Sequence, residues 1–325
     1  MVKKTEIRQL FIVMQEKKNK RLAVSMIVLM VTIVVTWFFA FREAKIEVDE
    51  TAFVIENMAD IDRVEMISPD DTVVLRYDGT KWMVNDIYPA DRRTIQVLFG
   101  TIEHVKPRRP VSEKRKAGAI RQLKTSGTTV TFFSQGSLLK SYVVGGISQK
   151  PEAWFQLPGG DPVIMNIPGY RVYASGVFEQ TVNDWRDKRV FALSYWRNFK
   201  SLTTTFTKDR ETFTISGKGN LFNVDGIEAD TAKVNTYLDD VSLMAGEGFY
   251  SAGQRQRIDS LLAGPTSFEV TVTDVGNRSQ KLEVFPPLRN EADVYGRVNG
   301  EIMIFPRSEM ARIAKKKSWF RATPE

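Results

Sequence analysis

The feature that most constrains this chain is the run LAVSMIVLMVTIVVTWFFAF, 20 consecutive residues without a charge from Leu22 to Phe41. At about 1.5 Å per residue, a helix of that length reaches about 30 Å, the thickness of a bilayer's hydrocarbon core. Trp37, Phe38, Phe39 and Phe41 gather at its far end, where aromatic rings favour the headgroup region. No face of the run is polar, which argues against a core helix. A cleavable signal peptide has an apolar stretch of about 7–15 residues ending in small residues. Here bulky rings and Arg42-Glu43 occupy the exit. The expectation is an uncleaved transmembrane helix over residues 22–41.

Charge predicts its orientation. Residues 1–21 hold Lys3, Lys4, Arg8, Lys17, Lys18, Lys20 and Arg21 against Glu6 and Glu16, a net +5. The whole chain carries +7 over 325 residues, which leaves the remainder nearly neutral. The positive-inside rule predicts a cytoplasmic basic tail at 1–21 and everything after the helix on the other side. In a bacterium that means the inner membrane, with the C-terminal region in the periplasm. In the tail, Ile7, Leu10, Phe11 and Met14 fall at i, i+3, i+4 and i+7. They are a candidate cytoplasmic docking stripe, or a short helix that merely leads into the anchor.

Composition removes much catalytic chemistry. Zero cysteines exclude disulfides, thiolate nucleophiles and cysteine-ligated metals, and His104 is the one histidine. Ser112 with Lys114 or Lys116 is the nearest pairing for a Ser–Lys dyad, yet Ser112 reads equally as a helix cap. Asp78, Asp91, Asp225 and Asp230 sit at turns or helix starts, and Asp239-Asp240 faces away from an apolar stripe, where water is expected to solvate it. No calcium or phosphate loop is spelled out. The sequence assigns no catalytic, cofactor-binding or metal residues and no cofactor.

The chain resembles itself at a fixed spacing. The helical pattern Ala90–Lys106 aligns with Ala229–Gly246 at an offset of 139, and both open on Ala-Asp. Ile95, Leu98, Phe99, Ile102 and Val105 then fall on Val234, Tyr237, Leu238, Val241 and Met244, all on one helical face. Around these helices lie alternating strand patterns. Thr72–Tyr77, Trp82–Val84, Thr128–Phe133 and Ser141–Val144 come first; Thr212–Ile215, Ser267–Thr273, Lys281–Phe285 and Glu301–Phe305 follow. The closing segment Val177–Val190, with Trp185, parallels Ser308–Phe320, with Trp319. The fold class expected is α+β: a single transmembrane helix, a linker at 42–54, and two tandem repeated modules at 55–195 and 196–321.

One difference separates the repeats. Lys106–Lys124 holds eight basic residues against Glu113 alone, whereas the aligned Ala245–Ala263 is neutral. Lys106, Arg108, Arg109, Lys114, Arg115, Lys116 and Arg121 are therefore candidate contacts for lipid headgroups, an acidic polymer or an acidic partner. The alternative is a solvated loop-helix face. Nucleic acid is disfavoured by the predicted topology.

The hairpin Asp78-Gly79-Thr80-Lys81-Trp82-Met83-Val84 before Ala90-Asp91, and the Trp-Arg-Asp-Lys-Arg run at 185–189, resemble the domain-of-unknown-function 4340 family over about residues 20–320. That resemblance implies a bacterial envelope protein, similar in some cases to auxiliary components of ABC-type exporters or gliding machinery. It supplies no site residues. Together these readings predict a non-enzymatic, membrane-anchored scaffold or accessory subunit of an envelope complex, with the bilayer and membrane proteins as partners; they assign no oligomeric state. A periplasmic sensor whose inter-module cleft binds a glycan or peptide is the alternative. An anchored hydrolase stands last.

Overall fold

The computed structural model describes residues 2–41, 49, 51–191, 198–218 and 221–322; the side chains of 2–17, 38–41 and 218 lie outside the description. Helix α1, Val2–Phe41, runs unbroken for 40 residues, or about 60 Å at the α-helical rise. Within it, Lys18–Trp37 has a mean hydropathy of 1.8, and none of that stretch is buried by the rest of the protein. Its two internal threonines return their hydroxyls to the helix, Thr32 to the Val28 carbonyl at 2.6 Å and Thr36 to the Thr32 carbonyl at 2.7 Å. They therefore need no water. The helix is long and apolar enough to span a membrane.

Beyond Asp49, period-two alternation builds two antiparallel sheets. The first contains β1 (Arg63–Ile67), β2 (Thr72–Tyr77), β3 (Trp82–Val84), β4 (Tyr88–Pro89), β5 (Lys106–Pro110), β6 (Thr128–Ser134), β7 (Ser137–Ile147), β8 (Glu152–Gln156) and β9 (Val163–Asn166). Helices α2 (Arg92–His104), α3 (Glu113–Ser126) and the short α4 (Val182–Trp185) accompany it. The second sheet contains β10 (Phe199–Phe206), β11 (Glu211–Lys218), β12 (Leu221–Val224), β13 (Gly248–Tyr250), β14 (Phe268–Asp274), β15 (Ser279–Val284), β16 (Asp293–Val298) and β17 (Glu301–Pro306). Its helices are α5 (Thr231–Ser242), α6 (Gln256–Leu262) and α7 (Arg307–Ile313). The architecture is α+β.

The strand orders are β4-β3-β2-β1-β6-β7-β8-β9-β5 and β12-β11-β10-β14-β15-β16-β17-β13. Apart from the two-residue β4, they share one pattern. Each sheet has a principal core on one face. In the first, Val64, Leu75, Phe132, Tyr142 and Phe155 meet Leu98 of α2 and Trp185; in the second, Leu202, Phe213, Val270 and Phe305 meet Tyr237 and Leu238 of α5 and Phe320. A smaller cluster fills the opposite face, with Ala119 and Leu123 of α3 on Trp154 in one sheet and Ile258 of α6 beside Tyr250 and Phe285 in the other.

Local chemistry explains where the principal helices begin. Asp91 accepts a hydrogen bond from the Thr94 amide at 2.8 Å, and Asp230 accepts one from the Ala232 amide at 2.9 Å. Each thereby satisfies an amide left open in the first helical turn. Before each helix, a side-chain oxygen ties the hairpin shut. Asn85 accepts from the Val74 amide at 2.7 Å, and Asp225 accepts from the Thr214 amide at 2.9 Å.

Three sequence expectations need correction. Asp240 is not left to water: Arg312 of α7 pairs with it, and its side chain is only 13% exposed. Trp319 is not the partner of Trp185, because the Asp91 amide donates to the Trp185 carbonyl while the Asp230 amide donates to that of Phe320. Trp185 and Phe320 are the fully buried pair, and Trp319 is only partly buried. Finally, packing starts inside the expected linker, since Phe53 is already buried in the first core.

Candidate functional site

The basic segment folds as an edge strand followed by a helix, not as a loop and helix. Strand β5 terminates its sheet and pairs only with β9. Lys106, Arg108 and Arg109 are exposed along it. Helix α3 starts after Ser112, whose side chain makes no cap hydrogen bond. Ala119 and Leu123 set its buried face. At 100° per residue, Lys114 and Arg121 then project on the opposite side, and both are exposed.

Two of the seven candidate cations are neutralised by the fold. Arg115 pairs with Glu152 at 2.5 Å and lies over the Trp154 ring, 5.6 Å from its centroid. Glu152 also accepts from the Trp154 indole at 2.7 Å. The Arg115 hydrogen bond is the first cause holding the Glu152 carboxyl below the usual carboxylate range, with Trp154 and Arg109 adding to it against partial burial. Lys116 reaches Asp161 at 2.6 Å and Glu113 at 3.7 Å. The fold thus sets Glu152 and Asp161 beside the eight cations and Glu113 of Lys106–Lys124, lowering the local net charge from +7 to +5. Among the described residues, no ion pair engages Lys106, Arg108, Lys114 or Arg121. Arg109 shares the field of Glu152.

The remaining sequence candidates are dispersed. The exposed His104 lies 2.9 Å from the Gly100 carbonyl of its own helix through Nδ1. It rims an apolar hollow of about 440 Å³ with Val97, Ile167, Tyr170 and Val172. Lys116, the second lysine of the Ser112 pairing, is committed to Asp161. Asp78 serves its own turn, accepting from the Thr80 amide at 2.8 Å. The docking-stripe residues Ile7, Leu10, Phe11 and Met14 lie on the α1 backbone, with side chains outside the described residues. Among the described residues, no group of histidines and carboxylates is arranged to hold a metal.

The most elaborate polar arrangement, which the sequence does not disclose, lies where the two sheets meet. The Trp-Arg-Asp-Lys-Arg run forms it. Trp185 enters the first core, while Val190 and Phe191 enter the second. Between them Arg186 is only 6% exposed, with its guanidinium 3.6 Å from the Tyr88 ring centroid and 3.7 Å from that of Phe249. Tyr88 belongs to the first sheet and Phe249 to the second. Arg186 also pairs with Glu301 of β17 and donates to Asn183 at 3.1 Å. Stacking on two rings offsets part of the cost of removing a cation from water.

Backbone bonds complete this joint. The Gly246 amide donates to the Lys188 carbonyl at 2.8 Å, and the Val190 amide donates to the Met244 carbonyl at 2.9 Å. Gly246 suits this close approach, because a Cβ there would lie 2.7 Å from Met303 Cε and 3.2 Å from the Ile304 carbonyl oxygen. An arginine beside a tryptophan was visible in the sequence. Its ring partners, far away along the chain, were not.

Fold and joint together define a class: a two-sheet α+β protein carried on a membrane-length N-terminal helix and held together by a ring-stacked arginine. The family model described as Domain of unknown function (DUF4340) matches residues 82–260, more than half of the chain. The chain belongs to that family. The match runs from β3 through the joint into α6, a narrower span than the 20–320 expected. Comparison with curated proteins and with solved structures gives no match.

Proposed function

We propose that the chain is a single-pass, non-enzymatic scaffold or accessory subunit of a bacterial envelope complex, of the transporter, secretion or motility kind. Its N-terminus lies in the cytoplasm, and its helix crosses the inner membrane. The two sheets are periplasmic copies of one duplicated module, at about residues 55–195 and 196–321. The observation that carries this reading is the apolar stretch Lys18–Trp37, which stays uncovered among the described residues. Only an apolar phase relieves the cost of exposing so much hydrocarbon, and its length suits a bilayer.

The shared strand order, the matched Asp91 and Asp230 caps and the matched Asn85 and Asp225 ties support the duplication. A scaffolding role is supported by the joint, where the buried Arg186 sits between a ring of each sheet. Isolation of the full chain in mild detergent, followed by mass spectrometry, tests the reading. Stoichiometric membrane-protein partners are expected, and a monodisperse, partner-free monomer would contradict it.

A ligand-binding reading rests on one observation. A polar recess of about 440 Å³ opens between α3 and β7, lined by Gln122, Ser126, Ser148, Gln149, Tyr173 and Glu179. Tyr173 donates to Glu179 at 2.5 Å within it. Its planar amides suit a glycan better than an apolar ligand. A rise in melting temperature with a cell-wall fragment would favour this second reading.

A further inference from the structure

Within the basic segment, cations that no described ion pair engages lie on the exposed side of α3 and along β5, and the membrane tether keeps the first module close to lipid. On α3, Lys114 and Arg121 project away from the buried Ala119 and Leu123, and only small residues, Ala117 and Gly118, lie between them on that face. A flat surface can therefore approach the backbone closely. Strand β5 extends the same charge with exposed Lys106, Arg108 and Arg109. Arg115 and Lys116 fasten the helix to Glu152 and Asp161 of the unit beneath, so the stripe rides on an anchored element.

Covalent reach supplies the second observation. Twelve Cα steps separate Phe41, at the end of α1, from Phe53 in the first core. Fully extended, they span at most about 40 Å, comparable with the diameter of a module of this size. The first module therefore cannot leave the neighbourhood of the bilayer. The aligned segment of the second module is neutral: Arg255 and Arg257 face Glu247 and Asp259 in sequence, and both arginines lie near Glu291. The clustered basic segment thus belongs to the module nearer the anchor.

We propose that the stripe formed by Lys106, Arg108, Arg109, Lys114 and Arg121 docks the first module onto anionic phospholipid headgroups of the membrane that α1 spans. This inference rests on the anchor reading above. The attraction operates within about a Debye length of the surface, so it orients a module already tethered there and fades with salt.

The chain lacks cysteine, so a single one carries a reporter. Gly118→Cys places it in the stripe, where a Cβ meets no atom within 4 Å; Ser260→Cys, on the exposed face of α6, is the control. Each labelled full-length chain is reconstituted into vesicles with headgroup-attached quencher. One set is pure phosphatidylcholine and the other contains about one-third phosphatidylglycerol. Flotation confirms incorporation. Quenching at position 118 should be several-fold stronger in the anionic vesicles, and position 260 should not distinguish the two. The difference should vanish near 1 M salt, where the screening length falls to about 3 Å. It should fall at least about tenfold when Arg108, Arg109, Lys114 and Arg121 are all changed to Glu. Equal quenching in both vesicle types, or a difference that survives both salt and charge reversal, overturns the proposal and leaves the stripe to an acidic protein or polymer. A chain that floats with neither vesicle overturns the anchor reading and this inference together.

Discussion

The terminal strands β5 and β13 occupy the same place in their sheets and meet opposite fates. α4 packs against β13, and the residues just before it, Met244–Gly246, pair with Lys188–Val190 from the first sheet's closing segment. Strand β5 has no such cover among the described residues, and reads Lys-Pro-Arg-Arg-Pro. At the 139-residue offset Gly246 falls on Pro107, which has no amide to donate. Proline and like charges make an edge strand a poor template for another chain. One edge is consumed by the intramolecular joint, and its twin is kept from forming the same joint again.

The buried rings that plug the two principal cores should give the largest effects. Trp185→Ala and Phe320→Ala each empty a fully buried ring site, in the first and second core respectively. Each should cost about 3–5 kcal/mol. Denaturant melts followed by probes in each sheet should show the matching unit failing first. Equal loss from both units after either substitution would break the comparison.

Next comes the joint itself. Arg186→Ala removes the cation from between Tyr88 and Phe249 and leaves Glu301 without its partner. A loss of about 2–4 kcal/mol is expected, less than a fully buried pair would show because Glu301 is partly solvated. Calorimetry should resolve a single transition into two. Arg186→Lys retains the charge without the planar stacking and should fall between.

Smaller effects sharpen the equivalence of the two principal helices. Asp91→Ala and Asp230→Ala each remove a cap and should each cost about 1 kcal/mol by chemical denaturation. The smallest expected effect concerns α3. A carboxyl whose folded value is depressed stabilises the fold above its unfolded value, and that contribution is lost as pH falls through the folded one. The Glu152 contact should therefore weaken below about pH 4.3, by less than about 1 kcal/mol because Arg115 is 42% exposed. Trp154 emission should report the change, and Glu152→Gln should flatten it.

Much of this fold was legible because alternation and turn residues act locally. Strands Thr72–Tyr77 and Trp82–Val84 have the limits that their patterns predict. β8 escaped notice for a physical reason. Ala153 and Phe155 enter the main core while Trp154 enters the cluster under α3, so both faces are covered and no polar alternation remains. The basic stripe was readable as charge. Its partial neutralisation by Glu152 and Asp161 was not, since those carboxylates come from later in the chain. Arg186 was illegible as a joint for the same reason: Tyr88 and Phe249 become its neighbours only after both sheets have formed.

The central claim is a chain anchored once, with both sheets presented on the far side of the membrane from the basic tail. An alkaline phosphatase fused after Glu325, active only when exported, tests it directly. The account predicts an active fusion on the full-length chain. An inactive fusion, expressed in full and recovered with the membranes, would contradict it.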